Sequence, residues 1–244
     1  MKNTKNETFF IGGEHSIELT LRHNKKLINY ICCTNDKKAK TEGLLSKHES
    51  KIKVLVKSEK TIKSLFKDHF KHQNIAANIS KKKIELANLD KCKNETVLVF
   101  EEIYDIRNIG SIIRTALGFG INDFFFNKKN SKLNNEHIYQ ASSGYINLAN
   151  CYYYINLSRL LVDFKNQGFW ISGLDSTSNQ NIYDFVWPQK NVLVIGNEHS
   201  GLKALTKKNC DYLLKIPITN NIESFNVSNA LAITLALKKK APTK

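Results

Sequence analysis

Three short stretches of this chain concentrate side chains that could do chemistry. The first is YDIRNIGSIIRTALGFG at 104–120, which carries Asn108, Gly110, Arg107 and Arg114. The chain holds only four arginines among 37 basic residues, so two in one short helix-like stretch stand out. A guanidinium presents a planar fork that fits phosphate in a way a lysine ammonium cannot. Gly110 beside the free N–H groups of a helix start could also receive a phosphate. The glycines fall at 110, 118 and 120, which is not the G-x-G-x-x-G dinucleotide fingerprint, and no acidic residue follows as that fingerprint requires. A solvated arginine on the first turns of a helix is the plain alternative.

The second stretch is VLVIGNEHSGL at 192–202, an apolar strand running into Gly196, Asn197, Glu198 and Gly201. Glycine lets the backbone come close to a ligand. Glu198 at a helix start is favoured by the helix dipole whatever else it does. His199 could be a general base by type, but beside Glu198 it reads as a surface histidine. The third is IPITNNIESFNVSNA at 216–230, where Ser224, Asn226 and Ser228 alternate in front of an apolar run. Ser and Asn are preferred helix caps. A cap needs one such residue, which leaves the others available to hold something. The pair His69 and His72 in HFKH is too weak a pattern for a metal site. The five cysteines form no CxxC pair and read as reduced thiols. No metal is expected.

Elements must position these loops, and composition bounds them. The 244 residues are 41% hydrophobic and 24% charged, an ordinary globular balance. No apolar run reaches the roughly 18–20 residues that span a bilayer, and the first residues lack the apolar core of a signal peptide. A cytoplasmic protein without a membrane partner is expected. The formal charge is +15, which points to a polyanion such as nucleic acid. Residues 1–95 hold 21 Lys and Arg against 11 Asp and Glu, and residues 96–244 hold 16 against 11. The smaller part is therefore the more basic, as suits a substrate-gripping module beside a catalytic one.

From 14 to 80, EHSIELTLRH and KTIKSLFKDHF read as helical, and INYICCT, KIKVLVK and NIAANIS as extended, a small α/β domain. Residues 81–95 are polar and lysine-rich and read as a linker. From 96 to 244 strands and helices alternate, beginning with TVLVFEEI and ending in a helix from about Ser228 to Lys239. That alternation predicts a largely parallel sheet flanked by helices. Ligands of such sheets sit at the carboxyl ends of the strands, so the loops after Phe100, Ile195 and Ile218 are where chemistry is expected.

Taken together, the three loops resemble the SpoU (TrmH) branch of the SPOUT RNA methyltransferases. The first matches at Asn108, Gly110 and Arg114, the second at Gly196, Glu198 and Gly201, and the third at Ile216, Pro217, Ser224, Asn226, Ser228 and Ala230. The likeness extends to the N-terminus, where FFIGGEHSIELTLRHN is similar to the start of the family's L30e-like α/β substrate-binding domain. HQNIAANI is similar to that domain's end, with Asn74 in place of a glycine, a replacement that suits a left-handed position. Phe225 stands where the family has leucine.

The resemblance implies domains at 1–80 and 96–244 and a deep trefoil knot in the second. It implies a homodimer, and S-adenosyl-L-methionine bound near Gly196, Asn197, Gly201, Ile216, Ile218, Phe225 and Asn226. The reaction implied is 2′-O-methylation of RNA, of a guanosine in large-subunit (23S) rRNA, with tRNA as the second choice. Arg114 is expected to steer the 2′-hydroxyl by gripping the adjacent phosphate, since arginine keeps its proton at neutral pH. Asn108 and Glu198 are expected to orient it, and Ser224 and Asn226 to brace the cofactor loop while capping the last helix. Two rivals are a catalytically inactive RNA-binding scaffold, opposed by the intact Asn108, Arg114, Glu198 and Asn226, and a Rossmann-type oxidoreductase, opposed by the missing fingerprint.

Overall fold

A computed structural model describes residues 7–66, 71–92, 94–129, 133–198, 200–219 and 221–240. In chain order the first elements are β1 (Thr8–Gly12), α1 (Glu14–Asn24), β2 (Ile28–Cys33), α2 (Lys38–Lys47), β3 (Lys53–Val56), α3 (Glu59–Lys63) and β4 (Ile75–Ser80). Then come β5 (Glu85–Leu86), β6 (Thr96–Phe100), α4 (Ile106–Gly118), β7 (Asp123–Asn127) and α5 (Glu136–Ala141). The remainder is β8 (Asn150–Tyr154), α6 (Leu157–Asn166), β9 (Trp170–Leu174), β10 (Asn191–Ile195), α7 (Ala204–Asn209), β11 (Tyr212–Leu214) and α8 (Val227–Lys240). Packing divides the chain into two compact units, Met1–Lys83 with Leu133–Leu148, and Ile84–Lys132 with Ala149–Lys244.

The first unit has a four-stranded sheet in the order β1-β4-β2-β3. β4 pairs antiparallel with β1 and β2, and β2 runs parallel to β3. α1 turns Ile17 and Leu21 inward, and the core also takes Ile11, Ile31 and Ile79. Asn74 has φ 59° and its neighbour Gln73 has φ 53°, so the position that holds glycine in the resembled family is left-handed here, a conformation Asn tolerates. His72 is structural: Nδ1 accepts from the Asn74 N–H at 3.0 Å, and the ring stacks on Phe66 with centroids 5.7 Å apart. His69 lies outside the described residues.

The second unit is a seven-stranded sheet, β11-β9-β10-β6-β7-β8-β5, with every pair parallel. Its central strands read as unbroken apolar runs because helices cover both faces. Val97, Val99, Phe125, Val192 and Val194 are fully buried beneath Leu161 and Phe164 of α6. Helix α4 starts at Asp105, whose side chain accepts from the Arg107 N–H at 2.8 Å. It buries Ile109, Ile112, Ile113 and Ala116 on one stripe, the spacing of an amphipathic helix. α8 returns to pack against α4. No helix among the described residues is long and apolar enough to cross a membrane.

The structure departs from the sequence reading in three places. α2 and β1 were not foreseen: α2 is mostly polar, burying only Thr41 and Leu45. The stretch 81–95 is not wholly linker, because β5 pairs with β8 and Leu89 and Cys92 pack against the core of the second unit. Residues Leu133–Leu148 belong with the first unit rather than with 96–244. The cause is specific packing: Tyr139 meets Phe9 edge-on at 5.6 Å, and Asn147 donates to Thr20 Oγ1 at 2.9 Å.

Candidate active site

Three loops at the carboxyl ends of β9, β10 and β11 converge in the second unit, as parallel sheets arrange their ligand sites. A cavity of about 360 Å³ opens among them. Leu174, Ile195, Leu214, Ile216 and Ile218 give it apolar walls, and Asp175, Thr177, Glu198, Glu223 and Ser224 bring polar groups to it.

The 196–203 loop is held by its own backbone and by the loop after β6. Asn197 and Gly201 exchange two main-chain hydrogen bonds of 3.0 Å, and Gly201 reverses the chain at φ +62°. A Cβ on Gly196 would lie 2.4 Å from the Gly201 carbonyl carbon and 2.6 Å from Leu202 N. Gly196 was read as making room for a ligand; its first constraint is contact with its own chain. Buried Glu101 accepts from Lys203 N at 3.0 Å and Thr206 Oγ1 at 2.5 Å, so a carboxylate after β6 pins the start of α7. The Asn197 side chain donates to Glu102 O at 2.9 Å and accepts from Ser200 N at 3.2 Å. It lines the cavity, yet those bonds use its amide to brace the loop.

The expected catalytic residues come together in part. Asn108 on the first turn of α4 donates to Glu198 Oε1 at 3.0 Å and accepts from Asn226 Nδ2 at 3.2 Å. Asn226 Oδ1 in turn accepts from Ser228 N at 2.9 Å and Ser228 Oγ at 2.6 Å. Its carbonyl takes the first helical bond of α8, from Ala230 N at 2.9 Å. Asn226 is thus the cap of α8 and a link in the chain at once. The three sequence stretches become one hydrogen-bonded run, whose Glu198 end lines the cavity. Ser224 and Phe225 are exposed and line the cavity, with Phe225 at 38%. Arg114 is exposed on α4 and is not part of the cavity lining. Gly110 is buried inside α4 and does not offer a free helix end. The start of that helix already carries the Asp105 carboxylate, which Arg107 N–H and guanidinium hydrogen bonds hold below its usual pKa range. The phosphate-receiving reading of Gly110 therefore does not stand. His199 lies outside the described residues, among which no cluster of metal-ligating side chains occurs.

Sequence reasoning missed the loop after β9. Asp175 lies on the cavity wall with its side chain 8% exposed and pairs with Lys207 of α7 at 2.7 Å. It also accepts from Thr177 N at 3.1 Å and Thr177 Oγ1 at 2.9 Å. Burial opposes its ionisation, but the bonds from Lys207 and Thr177 outweigh that and set its pKa below the usual 3.8. A lowered folded pKa stabilises the protein above the unfolded value and loses that contribution as pH falls through the folded one. Asp175→Asn is therefore expected to lower Tm at pH 7, with the gap to the wild type closing below about pH 3–4. Thermal melts of both proteins across pH check this; a gap that stays constant would contradict it. The only sequence signal was position, one residue past a parallel strand.

A profile described as "SpoU rRNA Methylase family" matches residues 95–236, and one described as "RNA 2'-O ribose methyltransferase substrate binding" matches 10–85. The 23S rRNA (guanosine-2'-O-)-methyltransferase RlmB of Xanthomonas campestris pv. campestris is 32% identical over 171 residues, 68% of this chain and 69% of that protein. The protein named uncharacterized tRNA/rRNA methyltransferase MG252 of Mycoplasma genitalium is 35% identical over 154 residues, 62% of this chain and 63% of that protein. Among solved structures, the SpoU methyltransferase AviRb of Streptomyces viridochromogenes, in complex with AdoMet, superposes with TM-score 0.79 at 17% identity. That match covers 97% of this chain and 92% of that one.

Proposed function

The chain belongs to the SpoU rRNA Methylase family, and from that membership we infer that it methylates a ribose 2′-hydroxyl of RNA with S-adenosylmethionine, its target a guanosine of large-subunit rRNA. One observation carries the assignment of the site: Glu198, Asn108, Asn226 and Ser228 form a continuous hydrogen-bonded run beside the cavity.

The residues present fit the cofactor. A cavity of about 360 Å³ lies in the range of small-molecule sites, with apolar walls and a few placed polar groups. When bound, S-adenosylmethionine supplies a methyl group on a sulfonium, already a strong electrophile. What remains for the protein is positioning and activation of a weak nucleophile. Ile195, Leu214, Ile216 and Ile218 exclude water, and backbone groups around Gly196, Gly201, Ile216 and Phe225 hold the ligand. Glu198, fixed by the Asn108 side-chain amide, sets the polar rim. Arg114 grips the phosphate next to the reacting ribose and stabilises negative charge growing on its 2′-oxygen, as the methyl is transferred and the proton leaves toward that phosphate.

The finer reading has three further parts. Membership of the SpoU rRNA Methylase family supports a deep trefoil knot in the second unit. The chain works as a homodimer, and Arg114, standing outside the lining of its own cavity, suits a site completed at a two-fold interface. The first unit is an L30e-like substrate-binding domain, and the enzyme is cytoplasmic. The rRNA target is supported by the name of the Xanthomonas relative.

Transfer of labelled methyl from S-adenosylmethionine to unmodified large-subunit rRNA and to unmodified tRNA, with the product mapped by resistance to alkaline cleavage, tests the reading. Label in one rRNA guanosine is expected. Label in tRNA alone would keep the mechanism and overturn the rRNA assignment.

A further inference from the structure

We propose that a cation-lined hollow at the carboxyl ends of α1 and α2 grips the phosphate backbone of the substrate RNA, an inference that rests on the functional reading above. The hollow, of about 370 Å³, is lined by Arg22, His23, Lys25, Lys26 and His48 around Leu21 and Leu27. It lies wholly within the first unit.

Four of the five positions from 22 to 26 are basic, and all four side chains are exposed. One carboxylate serves this edge. Glu18 stands 3.7 Å from Arg22, 2.8 Å from Lys47 and 3.7 Å from His48 Nε2. Among the described residues, His23, Lys25 and Lys26 have no acidic partner. Some other lysines of the unit do, Lys37 and Lys40 both meeting Glu14 and Lys81 meeting Glu7; what sets Lys25 and Lys26 apart is their place beside Arg22 and His23 around one hollow. His48 Nε2 is shut from solvent behind the hollow and makes no hydrogen bond, with Glu18 Oε1 3.7 Å away.

The helix dipole accounts for part of the cluster. Cations in a last helical turn are favoured there, which covers Arg22 and His23 on α1. Lys25 and Lys26 lie in the 3₁₀ turn beyond it, where the dipole has fallen away. Their proximity to Arg22 costs repulsion in the free protein, and that repulsion turns into attraction when a polyanion enters. The polyanion present at every turnover is the RNA itself, and phosphate contacts are the part of RNA binding that positions without reading sequence.

The test uses the full chain carrying Arg22→Gln, Lys25→Gln and Lys26→Gln together. A matched control carries Lys51→Gln, Lys53→Gln and Lys60→Gln, which removes the same charge from exposed positions elsewhere in the unit. The probe is an unmodified transcript of large-subunit rRNA, with Kd measured as a function of salt, and S-adenosylmethionine binding measured alongside. Each neutralised phosphate contributes about 0.7–0.9 to the salt slope, so the first variant is expected to bind roughly tenfold or more weakly with a slope lower by about 2. The control is expected to change little, and both should bind cofactor as the wild type does. Equal weakening in the two variants would show that only total charge matters and overturn the inference. Unchanged RNA affinity in the first variant would overturn it too, including the case in which an acidic protein is found to dock there instead. A wild-type chain that binds cofactor but no RNA would overturn the functional reading and this inference with it. A wild type that methylates RNA beside an equally active first variant would remove this inference alone.

Discussion

Arg114→Ala is expected to slow methyl transfer by roughly 10²–10³-fold, the loss seen when a preorganised group facing developing charge is removed, while S-adenosylmethionine binds nearly as before. The separation follows from the fold. Arg114 is exposed on α4 and takes no part in the lining of the cavity, so removing it leaves the cofactor walls intact. The apolar stripe that seats α4, from Ile109 to Ala116, is also untouched, so the helix should stay seated. Arg114→Lys separates charge from geometry. A lysine keeps the charge but loses the planar fork that engages two phosphate oxygens at once. Its rate is expected to fall well short of the wild type, with the deficit in kcat more than in KM for the cofactor. Single-turnover rates and cofactor titrations on the three proteins read this directly. A lysine enzyme of near-full activity would mean that charge alone suffices and that the steering role is wrong.

Gly196→Ala is expected to damage the fold of the site itself. The new methyl would meet the Gly201 carbonyl and the Leu202 nitrogen, which are backbone atoms locked by the paired bonds between Asn197 and Gly201. Neither can turn aside as a side chain would. Overpacking costs typically about 1–3 kcal/mol, and for a chain of this size that is a Tm loss of roughly 2–12 °C. Cofactor affinity should fall with it, because the same loop forms the cavity wall. Gly118→Ala is the control. A Cβ there meets nothing within 4 Å, so stability should hold or rise slightly. Equal melting of the Gly196 variant and the wild type would show that the loop relaxes freely.

Much of this site was legible because residue type and position agreed. Asn and Ser in front of an apolar run announce a cap, and the alternation at 224, 226 and 228 exceeded what a cap needs. The structure joins both uses in Asn226, which holds α8 and Asn108 together. Asn74 was legible for a similar reason, since few residues other than glycine accept its φ of 59°. Asp175 was not legible. A lone carboxylate after a strand carries no signal of its own, and its meaning comes from Lys207, which only the fold brings beside it. Asn197 was read for the cofactor, but its amide reaches the carbonyl of Glu102, whose φ of 53° aims that carbonyl at the loop. No sequence pattern foretells that bend. The exchange of Leu133–Leu148 into the first unit was equally hidden, because it depends on single contacts such as Phe9 with Tyr139.

The most direct test of the central claim is made on RNA from cells. Large-subunit rRNA from a strain lacking this chain would be digested to nucleosides and compared by mass spectrometry with rRNA from the same strain supplied with wild-type protein or with Arg114→Ala. One 2′-O-methylguanosine should be missing without the chain, restored by the wild type and not by the variant. Identical methylation in all three would contradict the assignment, and restoration by Arg114→Ala would contradict the site.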